Sequence, residues 1–302
     1  MTTVGVVGTG RMGFAMTRAL RVAGLDVLVY NRTRARADQC AFETGATVAP
    51  TAADVAARSD VTLTMLADDD AVRDVYRGPA GLLEGAHAGA VLVDLSTVTP
   101  DTIRSLEADA RATGAGILDS PVSGSVTLAG SGQLTLMVGG TAEDLERARP
   151  ALEPLAKTIV HVGPLGSGAA MKLAVNTVIF GLNEALAEGL VLAEAAGIDR
   201  ELAYGVLADS AVGAPYVGYK RAAFLAPEAT PVAFALDLAA KDLRLIRALA
   251  DEVGLDLPQS KVNLDVVRTA SESIGGGSDF SAVATYLRDE RPAVSQEAAG
   301  GP

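Results

Sequence analysis

Tryptophan is absent from this chain and cysteine occurs once, at Cys40, so no internal disulfide can staple it. Histidine is nearly as scarce, and His87 with His161 alone make no credible zinc or iron ligand set, so no metal is expected. Aromatic residues reach 4% while hydrophobic residues make up 49%, which leaves Ala, Val and Leu to fill the core and favours helices and buried parallel strands. A basic excess is missing too. The net charge of −12 offers no stripe to neutralise a phosphate backbone and argues against a nucleic-acid partner. The most apolar long stretch, Leu173 to Leu192, is broken by Asn176, Asn183, Glu184 and Glu188, which argues against a membrane span. Met1-Thr2-Thr3 lacks a basic leader and Val4 to Val7 is too short for a signal-peptide core, so a reduced, cytoplasmic setting is expected.

What is present is organised in two parts, as a length of 302 residues suggests. Short β-branched runs alternate with amphipathic stretches up to about Gly163, the pattern of βαβ units feeding a parallel sheet. Strands are expected at Val4–Val7, Asp26–Tyr30, Asp60–Leu66, Ala90–Leu95, Gly116–Asp119, Leu134–Val138 and Thr158–Val162, with helices such as Gly13–Ala23, Pro100–Thr113 and Ala142–Leu155 between them. After Gly163-Pro164-Leu165-Gly166-Ser167-Gly168 strand signals stop and helical periodicity runs to about Arg288, opening with one helix from Ala169 to about Ala196 that both domains can share. The expected architecture is α/β: a Rossmann-type doubly wound domain over 1–164, an all-α domain over 165–290, and a disordered tail over 291–302.

The turn Gly8-Thr9-Gly10-Arg11-Met12-Gly13 directly follows the first strand and opens a helix, the setting that gives GxGxxG its meaning. Gly8 permits the tight turn, Gly10 lets backbone approach a pyrophosphate, Gly13 lets helix and strand pack closely, and the helix start offers N–H groups to phosphate. An NAD-selective site would place Asp or Glu after the second strand, where this chain has Asn31-Arg32-Thr33. Arg32 suits a 2′-phosphate, with Asn31 and Thr33 as further donors, so NADP is expected over NAD.

Ligands of such sheets gather beyond the carboxyl ends of the strands, which directs attention to Met65 and Leu66, to Ser96 and Thr97, and to the turn Asp119-Ser120-Pro121-Val122-Ser123-Gly124-Ser125, which has the look of an anion-binding loop. Lys172 and Asn176 stand one turn apart on an otherwise apolar helix, with Asn183 on the same face. Together with Asp94-Leu95-Ser96-Thr97 and Lys241-Asp242-Leu243, these motifs resemble the β-hydroxyacid dehydrogenase family over nearly the whole chain. The resemblance implies an NADP-dependent oxidoreductase that moves a hydride between nicotinamide and a small hydroxy acid or its aldehyde, with Lys172 as the catalytic acid/base. It further implies that Ser123, Gly124, Ser125 and Asn176 grip the substrate carboxylate, that Phe234 lies near the substrate, and that Leu66, Ser96 and Lys241 touch the cofactor. Ser125 stands where hydroxyisobutyrate enzymes carry a second glycine, which resembles the glyoxylate and succinic semialdehyde reductase branch instead. Val212, Tyr216 and Tyr219 are further candidates for substrate selection. Imine reduction and non-catalytic dinucleotide binding are the competing readings, and the presence of Lys172 counts against both. An apolar face on the helical domain suggests a homodimer or higher homo-oligomer, with a small carboxylate-bearing substrate as the other partner.

Overall fold

The computed structural model describes residues 2–290. The expected disordered tail lies outside the described residues. In chain order the first elements are β1 (Thr3–Val7), α1 (Arg11–Val22), β2 (Asp26–Tyr30), α2 (Arg34–Thr44), β3 (Thr47–Val48), α3 (Ala52–Ala57), β4 (Val61–Thr64), α4 (Asp69–Arg77), α5 (Leu82–Gly85), β5 (Val91–Asp94), α6 (Pro100–Ala112) and β6 (Gly116–Asp119). There follow β7 (Val122–Ser123), α7 (Val126–Gly130), β8 (Leu134–Gly139), α8 (Ala142–Leu152), β9 (Ala156–Gly163), α9 (Ser167–Ala195), α10 (Arg200–Asp209), α11 (Pro215–Leu225), α12 (Leu236–Glu252), α13 (Pro258–Ile274) and α14 (Val283–Asp289).

Strand alternation sorts side chains onto two faces of one sheet. Val27 and Val29 point to one core with Val91, Val93 and Leu118, where α1 adds Ala15, Met16 and Leu20 and α8 adds Leu145 and Leu152. Leu28, Leu92 and Ile117 point to the other, met by Val55 of α3, Tyr76 of α4 and Ile103 of α6. The strand order β3-β2-β1-β4-β5-β6 is parallel throughout and doubly wound. The sheet then departs from the uniform parallel pattern: β8 joins β6 antiparallel, β7 is antiparallel to β8, and β9 returns parallel to β8. The two-residue strands β3 and β7 escaped the sequence reading because neither is long enough to show a period of two.

The chain divides into two compact units, Met1–Ala174 and Val175–Pro302. That break falls inside α9, beyond the expected one at 164. Its cause is Asp119 at the end of β6, whose buried carboxylate accepts the amides of Gly166 (2.7 Å) and Ala169 (2.6 Å) and so holds the first turn of α9 to the sheet unit. Within the second unit the rest of α9 and α10–α14 bury Phe180, Leu190, Tyr204, Phe224, Leu243, Ile246 and Phe280. A single bridge, Ala235 to Asp279, is the only strand-like pairing there among the described residues.

Candidate active site

The nucleotide turn is built by steric necessity. Gly8 has φ +98, and a Cβ there would run into the carbonyl of Met65, while a Cβ on Gly13 would strike the carbonyl oxygen of Gly8. A Cβ on Gly10 would meet nothing within 4 Å, which leaves the backbone approachable at that point. The turn is braced from β2: Gly8 donates to the Tyr30 carbonyl at 2.9 Å, and Thr9 donates to Asn31 Oδ1 at 3.1 Å. The Asn31 amide in turn donates to the Thr33 carbonyl at 3.1 Å, so this side chain is largely committed to shaping the loop rather than offered whole to a phosphate.

Helix starts separate the nucleotide end from the rest of the unit. α3, α4, α6 and α8 are each capped by a side chain, from Thr51, Asp68, Thr99 and Thr141, and each has an acid in its first turn. α1, entered at Gly10, and α2, entered at Thr33, have neither. Their positive ends suit an anion. Arg32 and Thr33 are exposed beside the start of α2, Arg34 is paired with Asp38 at 2.8 Å, and the buried Thr9 hydroxyl has no protein partner. These residues fit a dinucleotide: Gly8 to Gly13 for the pyrophosphate, Arg32 and Thr33 for a ribose phosphate.

At the exits of β4 and β5 the backbone N–H of Leu66 donates to Ser96 Oγ at 2.9 Å. Beneath them lies Asp94, buried, which accepts Thr64 Oγ1 at 2.5 Å, Ser96 Oγ at 2.9 Å and Ser96 N at 3.2 Å. Burial pushes its carboxyl up to about 6, against the pull of the Thr64 and Ser96 hydrogen bonds. Met65, Leu66 and Thr97 are half-buried at the same strand ends.

The expected anion-binding loop is shorter than its sequence suggested. Asp119 is spent on the start of α9, and Ser125 caps α7 by accepting the Leu128 amide at 3.3 Å. Ser123, on β7, and exposed Gly124 remain open, and Gly124 has φ +140 with the space of a Cβ taken by Leu134 and Leu128. Lys172 is half-buried on the turn of α9 that follows Ala169.

In the second unit, Asn176 is buried and its amide donates to Asp242 Oδ2 at 2.9 Å. Lys241 lies in the middle of α12 with its ammonium 2.8 Å from Asp242 Oδ1. Phe234 stacks on Phe180 at 6.1 Å and packs edge-on to Phe280 at 6.3 Å. Asn183 is not an open member of the Lys172 face: it accepts the Tyr216 hydroxyl at 2.7 Å and donates to the Phe280 carbonyl at 3.2 Å. Tyr216 is thereby spent on structure, while Val212 and Tyr219 are exposed. Asp69 in the first unit and Asp279 in the second carried no sequence signal, and Asp94 was legible only as part of its motif, because the role of each depends on hydrogen bonds to residues far along the chain.

Glu184, next to Asn183, is 4% exposed, and its Oε1 lacks a partner. Burial, with Glu188 adding repulsion, pushes its carboxyl up to about 8. The folded state therefore keeps a proton that the unfolded chain releases, so stability is full below the usual carboxylate range and is lost as pH rises toward about 8. Thermal melts between pH 5 and 8 are expected to decline more steeply for the natural protein than for Glu184→Gln; equal slopes would refute the assignment.

Among the described residues no group of His, Cys, Asp or Glu could hold a metal ion, and no helix is long and apolar enough to cross a membrane. Residues 3–163 match the family described as the NAD binding domain of 6-phosphogluconate dehydrogenase, and residues 166–287 match NAD-binding of NADP-dependent 3-hydroxyisobutyrate dehydrogenase. Glyoxylate/succinic semialdehyde reductase 2, chloroplastic, from Arabidopsis thaliana is 34% identical over 286 residues, covering 95% of this chain and 79% of the plant protein. The 3-sulfolactaldehyde reductase of Escherichia coli (strain K12) is 32% identical, with 95% and 96% covered. Among solved structures, the Mycobacterium tuberculosis 3-hydroxyisobutyrate dehydrogenase with L-serine superposes with a TM-score of 0.81 at 32% identity, covering 95% of this chain and 99% of that one. A glycine cradle on a doubly wound sheet, a lysine-bearing long helix and relatives matched nearly end to end agree: the chain belongs to the β-hydroxyacid dehydrogenase family of NAD(P)-dependent oxidoreductases.

Proposed function

We propose that this protein is an NADP-preferring reductase of small aldehydes that carry a carboxylate, working reversibly on the matching hydroxy acids, in the range of glyoxylate, succinic semialdehyde and 3-hydroxyisobutyrate. The observation that carries the reading is Lys172 with Asn176 one turn on, in the largely apolar stretch of α9 from Met171 to Leu182, in a chain whose first unit leaves the starts of α1 and α2 with neither a side-chain cap nor a first-turn acid. The dinucleotide, when bound, supplies the hydride that adds to the carbonyl carbon. Lys172 gives its proton to the carbonyl oxygen as negative charge builds there, and takes one from the hydroxyl in the reverse direction. In the first unit Ser123 and Gly124 are the residues assigned to the carboxylate; in the second, Asn176, oriented by Asp242, and Phe234 are those assigned to the substrate. Lys241 completes the cofactor contacts. Exposed Val178, Leu192, Leu202 and Val206 support a homodimer.

NADP preference rests on Arg32, Thr33 and the absence of an acid after β2. Arg32→Ala is expected to raise the KM for NADPH about tenfold, the worth of one charge-assisted contact, and to leave the KM for NADH unchanged. Steady-state rates with glyoxylate, succinic semialdehyde and sulfolactaldehyde, run with both nucleotides, test the whole reading. NADPH that binds but is never oxidised would leave a binding module, and oxidation only with cyclic imines would make it an imine reductase.

A further inference from the structure

The junction of β6, β8 and α9 is built around one carboxylate. Asp119 ends β6, is 1% exposed, and spreads its two oxygens over two amides: Oδ1 accepts Gly166 N at 2.7 Å and Oδ2 accepts Ala169 N at 2.6 Å. A Cβ on Gly139 of β8 would strike Asp119 Oδ1, and one on Gly168 of α9 would strike the Met137 carbonyl and Asp119 Oδ2, so sheet and helix meet here without slack. Two groups of the proposed site grow from this junction. Ser123 stands four residues after Asp119, and the chain between them is held at each step. Ser120 N donates to the Asp94 carbonyl at 2.6 Å, Met137 N donates to the Pro121 carbonyl at 3.1 Å, and Val122 and Ser123 pair with Leu136 and Thr135 of β8. Lys172 stands three residues after Ala169, about 4.5 Å along the axis of α9. We propose that Asp119 is a positioning residue for proton transfer: it fixes the spacing between the Ser123–Gly124 turn and Lys172, and so selects aldehydes by the distance from carboxylate to carbonyl. This rests on the reading above that the turn holds the carboxylate and Lys172 gives the proton.

A carboxylate suits this task where an amide does not. Both donors are backbone N–H groups, and a carboxylate has an oxygen for each of them. In Asp119→Asn one oxygen becomes an NH2 that faces an N–H, donor against donor, and the start of α9 must move off the sheet. A displacement of about 1 Å at a proton donor costs about a hundredfold in rate. How much of that a substrate feels depends on its own freedom. In glyoxylate the carbonyl is bonded directly to the carboxylate carbon and cannot follow a displaced donor. In succinic semialdehyde two methylene groups lie between them and rotate to follow it.

The test is steady-state oxidation of NADPH by each aldehyde, expressed per folded protein, beside a fluorescence titration of the nucleotide. Asp119→Asn should lower kcat about a hundredfold with glyoxylate and about tenfold with succinic semialdehyde, with NADPH affinity unchanged. Gly168→Ala crowds the same junction from the helix side and leaves the acid intact. It should show the same order of losses, and it carries the test if Asp119→Asn does not fold. In a Lys172→Ala background Asp119→Asn should cost little more, because it acts through the lysine. Equal losses with the two aldehydes, a lowered melting temperature with kcat unchanged, or a full further loss beside Lys172→Ala would each overturn the proposal. Natural turnover in Lys172→Ala, or a natural protein that reduces neither aldehyde, would instead remove the reading of function and the proposal with it.

Discussion

Replacing Lys172 by alanine is expected to lower kcat by between about a hundredfold and ten-thousandfold, the span of general acid catalysis, while NADPH affinity stays as it was. The separation follows from where the groups sit in the chain. The nucleotide turn is carried by β1 and α1 and braced by Tyr30 and Asn31, none of which depends on Lys172. Lys172 lies on the turn of α9 that follows the one Asp119 ties to β6, so alanine removes the ammonium without releasing the helix. In the proposed mechanism, the oxygen that receives negative charge in hydride transfer then has no proton at hand. Lys172→Arg should recover little, because a guanidinium keeps the charge but does not give up its proton near neutral pH. Stopped-flow or steady-state oxidation of NADPH with each aldehyde, beside a fluorescence titration of the nucleotide, separates the two quantities. Normal turnover in the alanine variant would remove Lys172 from the mechanism.

Asp279→Ala is expected to be the most damaging substitution in the second unit, costing about 3–5 kcal/mol because it strands a buried ammonium. Lys220 is 3% exposed and lies 2.6 Å from Asp279 Oδ1. The same carboxylate accepts Ser281 N and Oγ at 3.0 and 2.8 Å, Ala233 N at 2.8 Å and Phe234 N at 3.2 Å. One side chain thus joins α11, the turn before α14 and the loop that presents Phe234. Lys220 pulls the Asp279 carboxyl below its usual range although burial pushes the other way, so folding gains from the ionised form above the unfolded pKa and loses that gain as pH falls through the folded one. Lys220→Met should cost less, since the carboxylate keeps four donors, and pairing it with Asp279→Leu should recover part of the loss by leaving no unpaired charge. Chemical denaturation of each variant measures these differences. A fall of under about 1 kcal/mol for Asp279→Ala would mean that the pair is solvated rather than buried.

Much of the nucleotide unit was legible in the residues. Val4 to Val7, Val27 to Val29 and Val91 to Val93 are continuous apolar runs because both sheet faces are covered, and glycines at 8 and 13 are demanded by backbone contacts with Met65 and Gly8 that only a strand–turn–helix makes. The acids were less legible. Asp119 sits within a loop that reads as an anion site, yet it serves the start of α9, more than forty residues along the chain. Asn183 falls on the same helical face as Lys172, yet its amide is consumed by Tyr216 and Phe280. Lys241 and Asp242 were legible only as part of a motif, and their setting inside α12, with Asp242 buried against Asn176, was not.

By itself the sequence determined what local chemistry dictates: which runs form strands, where the chain must turn tightly, and which few polar groups interrupt an apolar helix. Tertiary structure alone decided how the polar groups are spent. A carboxylate is a cap, a bolt or an open ligand according to which backbone amides lie within hydrogen-bond reach, and for Asp94, Asp119 and Asp279 those partners come from strands and helices that only folding brings together.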